Sequence, residues 1–139
     1  MVSYRLVRRV GAACLILPGF DHLVSPTLTM IFAPTIMETM FGPGALAATV
    51  FFIILGLFQL IWIYVLLKTR NSLLLVLGVV GNLISILVYF VSVDGVTLFG
   101  VPPQPLIAFG VLIKALETVF VLASIYVVRS ERTVNPKGS

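Results

Sequence analysis

The sequence predicts an all-α, polytopic integral membrane protein, an antiparallel four-helix transmembrane bundle forming one domain over residues 1–139. Three observations lead there. Of the 139 residues, 60% are hydrophobic and only 10% charged, against roughly 25% charged in an average soluble domain, and mean hydropathy is +1.17. Long apolar runs recur, each able to cross the roughly 30 Å hydrocarbon core at about 1.5 Å per residue. Basic residues collect in short segments between alternate runs, as membrane topology signals do. This composition excludes a soluble enzyme, a nucleic-acid-binding domain and a disordered tail.

The first helix is expected over about 4–24, with Arg5, Arg8 and Arg9 snorkelling at its start. Pro18 should kink it, and neighbouring helices can satisfy the carbonyl that Pro18 frees. Asp21 and His22 then lie at its outer end, where a lone histidine capping the helix is the simplest reading. The alternative is a longer, bent span reaching Phe32, which would put Asp21 and His22 near mid-depth. Residues 27–41, rich in Met and Phe, read as an interfacial or re-entrant segment. The apolar stretch runs into Asp-His rather than a small-residue cleavage site, so this helix is expected to be retained.

Three further spans follow, over 44–67, 73–93 and 106–128. The first two carry no charge, and the third carries only Lys114 and Glu117. Gly42-Pro43-Gly44 opens the second span, residues 68–72 separate it from the third, and Pro102-Pro103-Gln104-Pro105 stops any helix before the fourth. Trp62 and Tyr64 lie where an aromatic belt is expected. Eight of the nine Lys and Arg residues fall in the N-terminal flank, the 68–72 loop and the C-terminal tail. With four spans these segments share one side, which predicts a multi-pass protein of the plasma membrane with both termini cytoplasmic.

Each predicted helix carries small and polar residues at three- and four-residue spacing, and such spacing collects them on one face. The stripes are Gly11, Cys14, Pro18, His22 and Ser25; Ala45, Thr49, Phe52, Gly56 and Gln59; Gly78, Asn82, Ser85, Tyr89 and Ser92; and Gly110, Lys114, Glu117, Val121 and Ser124. In lipid, small residues let backbones approach and polar side chains seek partners on other helices. Glycine and serine here read as packing devices, and Asn82 and Gln59 as interhelical hydrogen-bond donors and acceptors.

Glu117, Asn82 and Gln59 lie near the centres of their spans, so a mid-membrane polar cluster of these three is expected. Lys114, three residues before Glu117, can pair with it on one face. The pair is either a fixed structural ion pair or a working carboxylate with its modulator. A mid-membrane charge costs roughly 2.5–3.5 kcal/mol on insertion scales, so such a residue calls for a partner or a function. Asp21 and His22 invite a metal or proton-relay reading, but adjacent helical residues point about 100° apart. Further donors such as Glu38 or Asp94 lack ligand spacing. No metal site is expected, and with a single Cys14 and one histidine no cofactor is expected either. A phosphate loop, a nucleophile elbow and a zinc-protease motif are all missing from the sequence.

The segment Gly19-Phe20-Asp21-His22-Leu23-Val24-Ser25-Pro26 resembles the G-x-x-H-L-x-x-P signature that ends the first helix of DoxX-like membrane proteins, a superfamily of small four-helix proteins. Its second helix often carries Gly-x-x-Glu. This chain has Gly56-Leu57-Phe58-Gln59, an amide where the family has a carboxylate. The run from Gly56 to Trp62 also looks like small four-helix membrane proteins of ammonia-oxidising archaea. Short loops, the lack of an extramembrane domain and the lack of a catalytic constellation lead to the expectation of a non-catalytic accessory subunit of a larger membrane complex. Its expected partners are the lipid bilayer and other membrane subunits or its own copies, and no nucleic acid. The resemblance agrees, since family members are linked to accessory subunits. Some DoxX-like proteins are linked to quinone-linked oxidoreductases, an enzymatic reading that no catalytic constellation here supports. The alternative function is a small dimeric transporter or channel with Glu117 as coupling carboxylate. Candidate ligand or proton-coupling residues are therefore Glu117, Lys114, Asn82, Gln59, Asp21 and His22.

Overall fold

A computed structural model describes residues 3–69, 71–93 and 108–134. The regular elements among them are all helical. They are α1 (Tyr4–Cys14), α2 (Ile16–Phe32), α3 (Pro34–Phe41), a 3₁₀ turn (Gly42–Gly44), α4 (Ala45–Lys68), α5 (Ser72–Val93) and α6 (Ala108–Val134). Four stretches are long and apolar enough to cross a membrane: Tyr4–Phe32, Gly42–Lys68, Ser72–Val91 and Ala108–Ser130. The predicted proline stop at 102–105, the 94–105 loop with Asp94, and the basic residues Arg70 and Lys137 lie outside the described residues.

The first span differs from the expectation. The helix does not end near Val24 but continues to Phe32, as in the longer, bent alternative, so residues 27–32 belong to α2. Only a one-residue interruption at Leu15 divides α1 from α2. Pro18 explains its position. Its ring clashes with the carbonyl four residues back, at Cys14, and the break puts Pro18 in the first turn of α2, where its missing N–H is harmless. Pro26 lies inside α2 without ending it. The polar residues beyond it are satisfied along the helix: Thr27 and Thr29 hydroxyls donate to the carbonyls of Leu23 and Ser25 at 2.6 and 2.8 Å. The chain turns at Ala33 into the separate short helix α3, and Gly42 closes that helix at φ +54°, a left-handed backbone that glycine adopts without strain.

The α1–α2 unit packs beside α4 and α6, and α5 packs beside the same two helices, so neighbours in sequence are neighbours around the bundle. Glycines mark the contacts. A Cβ on Gly56 would lie 2.7 Å from the Leu23 nitrogen and 2.8 Å from the Gly19 oxygen, so α4 and α2 meet backbone to backbone. Gly11 faces Ala123 across α1 and α6, and Gly110 faces Tyr89 across α6 and α5. Trp62 is half-buried. Its ring covers Gly78, stacks on Phe58 at 3.9 Å, and donates its N–H to the Leu74 carbonyl at 2.8 Å. Tyr64 remains exposed.

At the end of the bundle holding α1, an apolar cluster of Ala12, Leu15, Val65, Leu66, Leu75, Phe120, Val121, Val127 and Val128 fills the interior. Arg8 ties that end together by donating to the carbonyls of Leu66 and Thr69, the last turn of α4 and its cap. Asn71 caps α5 by accepting from the Leu73 N–H at 2.9 Å. Large apolar side chains cover the outside of every long helix, among them Leu17, Ile54, Leu87 and Leu122.

Candidate functional site

Beyond the apolar cluster, the interior turns polar. His22 on α2, Gln59 on α4, Asn82 and Ser85 on α5, and Lys114 and Glu117 on α6 are all buried, with Gln59, Asn82 and Glu117 at 0% exposure. Each of the four long apolar stretches contributes at least one side chain. The helical spacing of the sequence brings them together: Lys114 and Glu117 lie one turn apart on α6, as do Asn82 and Ser85 on α5.

Glu117 is the hub. Its Oε1 accepts from Gln59 Nε2 at 2.7 Å, from Lys114 Nζ at 3.0 Å and from Ser85 Oγ at 3.1 Å, and His22 Nε2 stands 3.1 Å away. Lys114 Nζ also donates to Oε2 at 3.0 Å and to Ser85 Oγ at 2.8 Å. The ammonium lies 5.7 Å from the centre of the Tyr89 ring, within cation–π range. Gln59 Nε2 reaches Asn82 Oδ1 at 3.1 Å as well, while Asn82 Nδ2 donates to the Gly78 carbonyl at 2.9 Å. Both partners of Gln59 Nε2 are oxygens, which settles the orientation of that amide. Gln59 Oε1 and Ser124 Oγ are buried with no hydrogen-bond partner among the described residues.

The expected trio of Glu117, Asn82 and Gln59 is assembled, with Gln59 as the bridge: Glu117 and Asn82 each bind its amide nitrogen rather than each other. Lys114 pairs with Glu117 as its spacing predicted. His22 does not cap an outer helix end. It faces the bundle centre, its ring stacked on Phe52 at 5.5 Å and its Nε2 shared between Glu117 and, at 3.4 Å, Lys114 Nζ. That follows from the continuation of α2 to Phe32, which leaves His22 well inside the span. Asp21 points to the side of the bundle. Its side chain is 22% exposed, accepts from Ser25 Oγ at 2.7 Å, and holds Oδ2 3.9 Å from His22 Nδ1.

Ser85 is the residue that site reasoning missed. It lies in the polar stripe of its helix, one turn from Asn82, and that stripe was the signal available. Among the described residues no group of three or more His, Cys, Asp and Glu side chains is arranged to hold a metal ion. Glu38 is exposed on α3, and Cys14 is a free, half-buried thiol on α1. A surface recess between α3 and the start of α4, lined by Met30, Glu38 and Leu46, shares no residue with the cluster.

Compared with protein-family models, curated proteins and solved structures, the chain finds no match. The chemical reading of the site therefore rests on its own geometry. That geometry is a hydrogen-bonded group of one histidine, one lysine and one carboxylate, with a second carboxylate at its edge.

Proposed function

We propose that this chain is a DoxX-like integral membrane subunit: an antiparallel four-helix bundle of the plasma membrane, non-catalytic, that docks against other membrane helices. The antiparallel arrangement is supported by residue pairs that descend along one helix as they rise along its neighbour. Arg8 meets Leu66 while Gly19 meets Leu60, and Gln59 meets Asn82 while Trp62 meets Gly78. Membrane residence is supported by the four long apolar stretches and their apolar exterior. Cytoplasmic termini are supported by Arg5, Arg8, Arg9, Lys68 and Arg129, which lie near one end of the bundle by the same pairing. A cysteine introduced between residues 94 and 105 of a Cys14→Ser protein should react with an impermeant maleimide from outside the cell. One introduced after Arg129 should not.

The observation that carries the subunit reading is Asp21. It is one residue, about 1.5 Å along the axis, from the buried His22, yet its carboxylate is partly exposed on the side of α2 beside the exposed Ser25. A carboxylate turned toward hydrocarbon at that depth costs roughly 2.5–3.5 kcal/mol. A neighbouring helix that brings a hydrogen-bond donor removes that cost. Native-detergent mass measurement on the protein from its own host tests the reading. The expected result is an assembly heavier than one chain that loosens in Asp21→Leu. A monomer in the wild type overturns it.

A further inference from the structure

We propose that the side of α2 around Asp21 is the docking seat for a transmembrane helix of a different protein, one that carries a lysine or arginine near the middle of its span. The proposal rests on the subunit reading above and names the chemistry of the partner.

Helical spacing builds the seat. Leu17, Asp21, Ser25 and Leu28 follow one another at four- and three-residue intervals, which places them on one face of α2. Leu17, Ser25 and Leu28 are exposed, and the Asp21 side chain is 22% exposed. A helix laid along this stripe meets leucine at either end and a carboxylate between. Among the described residues the hydrogen-bond donor to that carboxylate is Ser25 Oγ, of the same helix, at 2.7 Å. The His22 ring stands 3.9 Å away, beyond hydrogen-bond distance, and directs its other nitrogen to Glu117. An ionised carboxylate accepts at about four positions, so Asp21 retains places for donors from outside the bundle.

Charge selects the kind of donor. Lys114 Nζ donates to both oxygens of Glu117 and the residue is 5% exposed, so this ammonium is committed to its own pair. Asp21 is left as a carboxylate without a lysine or arginine at bonding distance. In hydrocarbon an ammonium or guanidinium stabilises such a group more than a neutral hydroxyl or amide does. A basic residue in the partner's span gains equally, since each charge alone is costly in lipid.

The position of Asp21 narrows the source of that cation. The stretch Tyr4–Phe32 has its middle at Pro18, which puts Asp21 about 4.5 Å from the centre along the helix. Lipid headgroups begin about 15 Å from the centre, so a headgroup amine does not reach it. A second copy does not supply the cation either. Copies inserted in the same direction bring equal depths together, and a symmetric pair sets Asp21 against Asp21. The exposed cations Arg5, Arg9, Lys68 and Arg129 lie toward the α1 end of the bundle. Arg9, the nearest of them along the first span, is about 18 Å of helix from Asp21. Outward side chains near the depth of the His22–Glu117 contact, such as Ile54, Leu83 and Val119, are apolar. The Thr118 hydroxyl there already donates to the Lys114 carbonyl at 2.7 Å.

The experiment uses the full-length protein in phosphatidylcholine vesicles, as a Cys14→Ser, Ser139→Cys variant carrying an acceptor dye. The probes are donor-labelled poly-leucine transmembrane peptides that differ only in one central residue: lysine, glutamine or leucine. Energy transfer should show the lysine peptide bound at least about tenfold more tightly than the other two. Asp21→Leu should abolish the preference, and Asp21→Lys should shift it to a peptide with a central glutamate. Equal binding of the lysine and glutamine peptides, or a preference that survives Asp21→Leu, overturns the proposal. Should the Asp21 variants fail to fold, a disulfide decides. Ser25→Cys in a Cys14→Ser protein should join a cysteine placed one helical turn before or after the peptide's lysine, and a lysine peptide that cross-links no better than the leucine one overturns the seat. The native mass measurement keeps the two readings apart. A heavy native assembly without a lysine preference overturns the cationic partner alone, whereas a native monomer with that preference overturns the subunit reading and supports the cationic seat.

Discussion

Toward the α1 end of the bundle, Leu15, Leu66, Leu75, Phe120 and Val127 fill the interior with hydrocarbon, whereas one helical turn along α6 from Phe120 the same interior is occupied by Glu117 and its hydrogen-bond partners. The two regions differ in how they favour one arrangement of helices. In the bilayer proposed above, apolar side chains gain little by leaving lipid for the interior, because lipid tails are as apolar as leucine, so the apolar half contributes close packing alone. The polar half adds direction. A carboxylate that collects donors from α2, α4, α5 and α6 is satisfied in one helix register and loses donors in any other. Packing thus sets how closely the helices approach, and the polar group sets which faces meet.

Substitutions at three places would break or sharpen this contrast. The largest effect is expected in the polar half. Glu117→Gln alone leaves Lys114 buried without its counter-charge, and Lys114→Met alone does the same to Glu117. Each should destabilise by about 3–5 kcal/mol, the usual consequence of removing one partner of a buried pair. The double variant should recover much of the loss, since it removes both charges together. Unfolding in mixed detergent micelles measures all three, and a double variant as unstable as the singles would mean that the pair is not the source of the effect.

A smaller loss is expected in the apolar half. Phe120, at 0% exposure, leaves a void when replaced by alanine, but in the bilayer proposed above the side chain has no water to avoid in the unfolded state. Phe120→Ala should therefore cost roughly 1–3 kcal/mol, below the about 3–5 kcal/mol typical of a water-soluble core. The same unfolding assay checks it. A loss equal to that of the broken ion pair would erase the contrast between the halves.

The smallest effect is expected at the end of the bundle. Arg8 donates to the carbonyls of Leu66 and Thr69 from a half-buried position. Arg8→Met keeps the apolar stem and removes those bonds, and should cost about 1 kcal/mol, read most directly as faster amide hydrogen exchange in the last turn of α4.

Much of this was legible in the sequence because helical periodicity and rise per residue are local properties. Apolar run length located α4 and α5 to within a residue or two, and the three-residue spacing of Lys114 and Glu117 made their pairing predictable. The depths of Gln59, Asn82 and Glu117 followed from counting along each span, and all three meet. The first span had two readings because its prolines and its Asp-His pair look like a terminus when the helix is considered alone, and the longer one, to Phe32, is the one the structure shows. The packing of Trp62 over Gly78 was not legible for a similar reason, since its position along α4 says nothing of a residue on another helix.

The sequence by itself determined the helical class, the number of long apolar stretches, and which residues share a helix face. These depend on interactions within a few residues of each other along the chain. Only the tertiary structure decided between the two lengths of the first span, that His22 turns inward to Glu117 while Asp21 remains at the side, and that Ser85 joins the carboxylate's set of donors. The physical reason is that a buried polar group takes its partners from whatever faces it. Which faces meet is set by close contacts such as Gly56 against Gly19 and Leu23, between residues more than thirty positions apart in the chain.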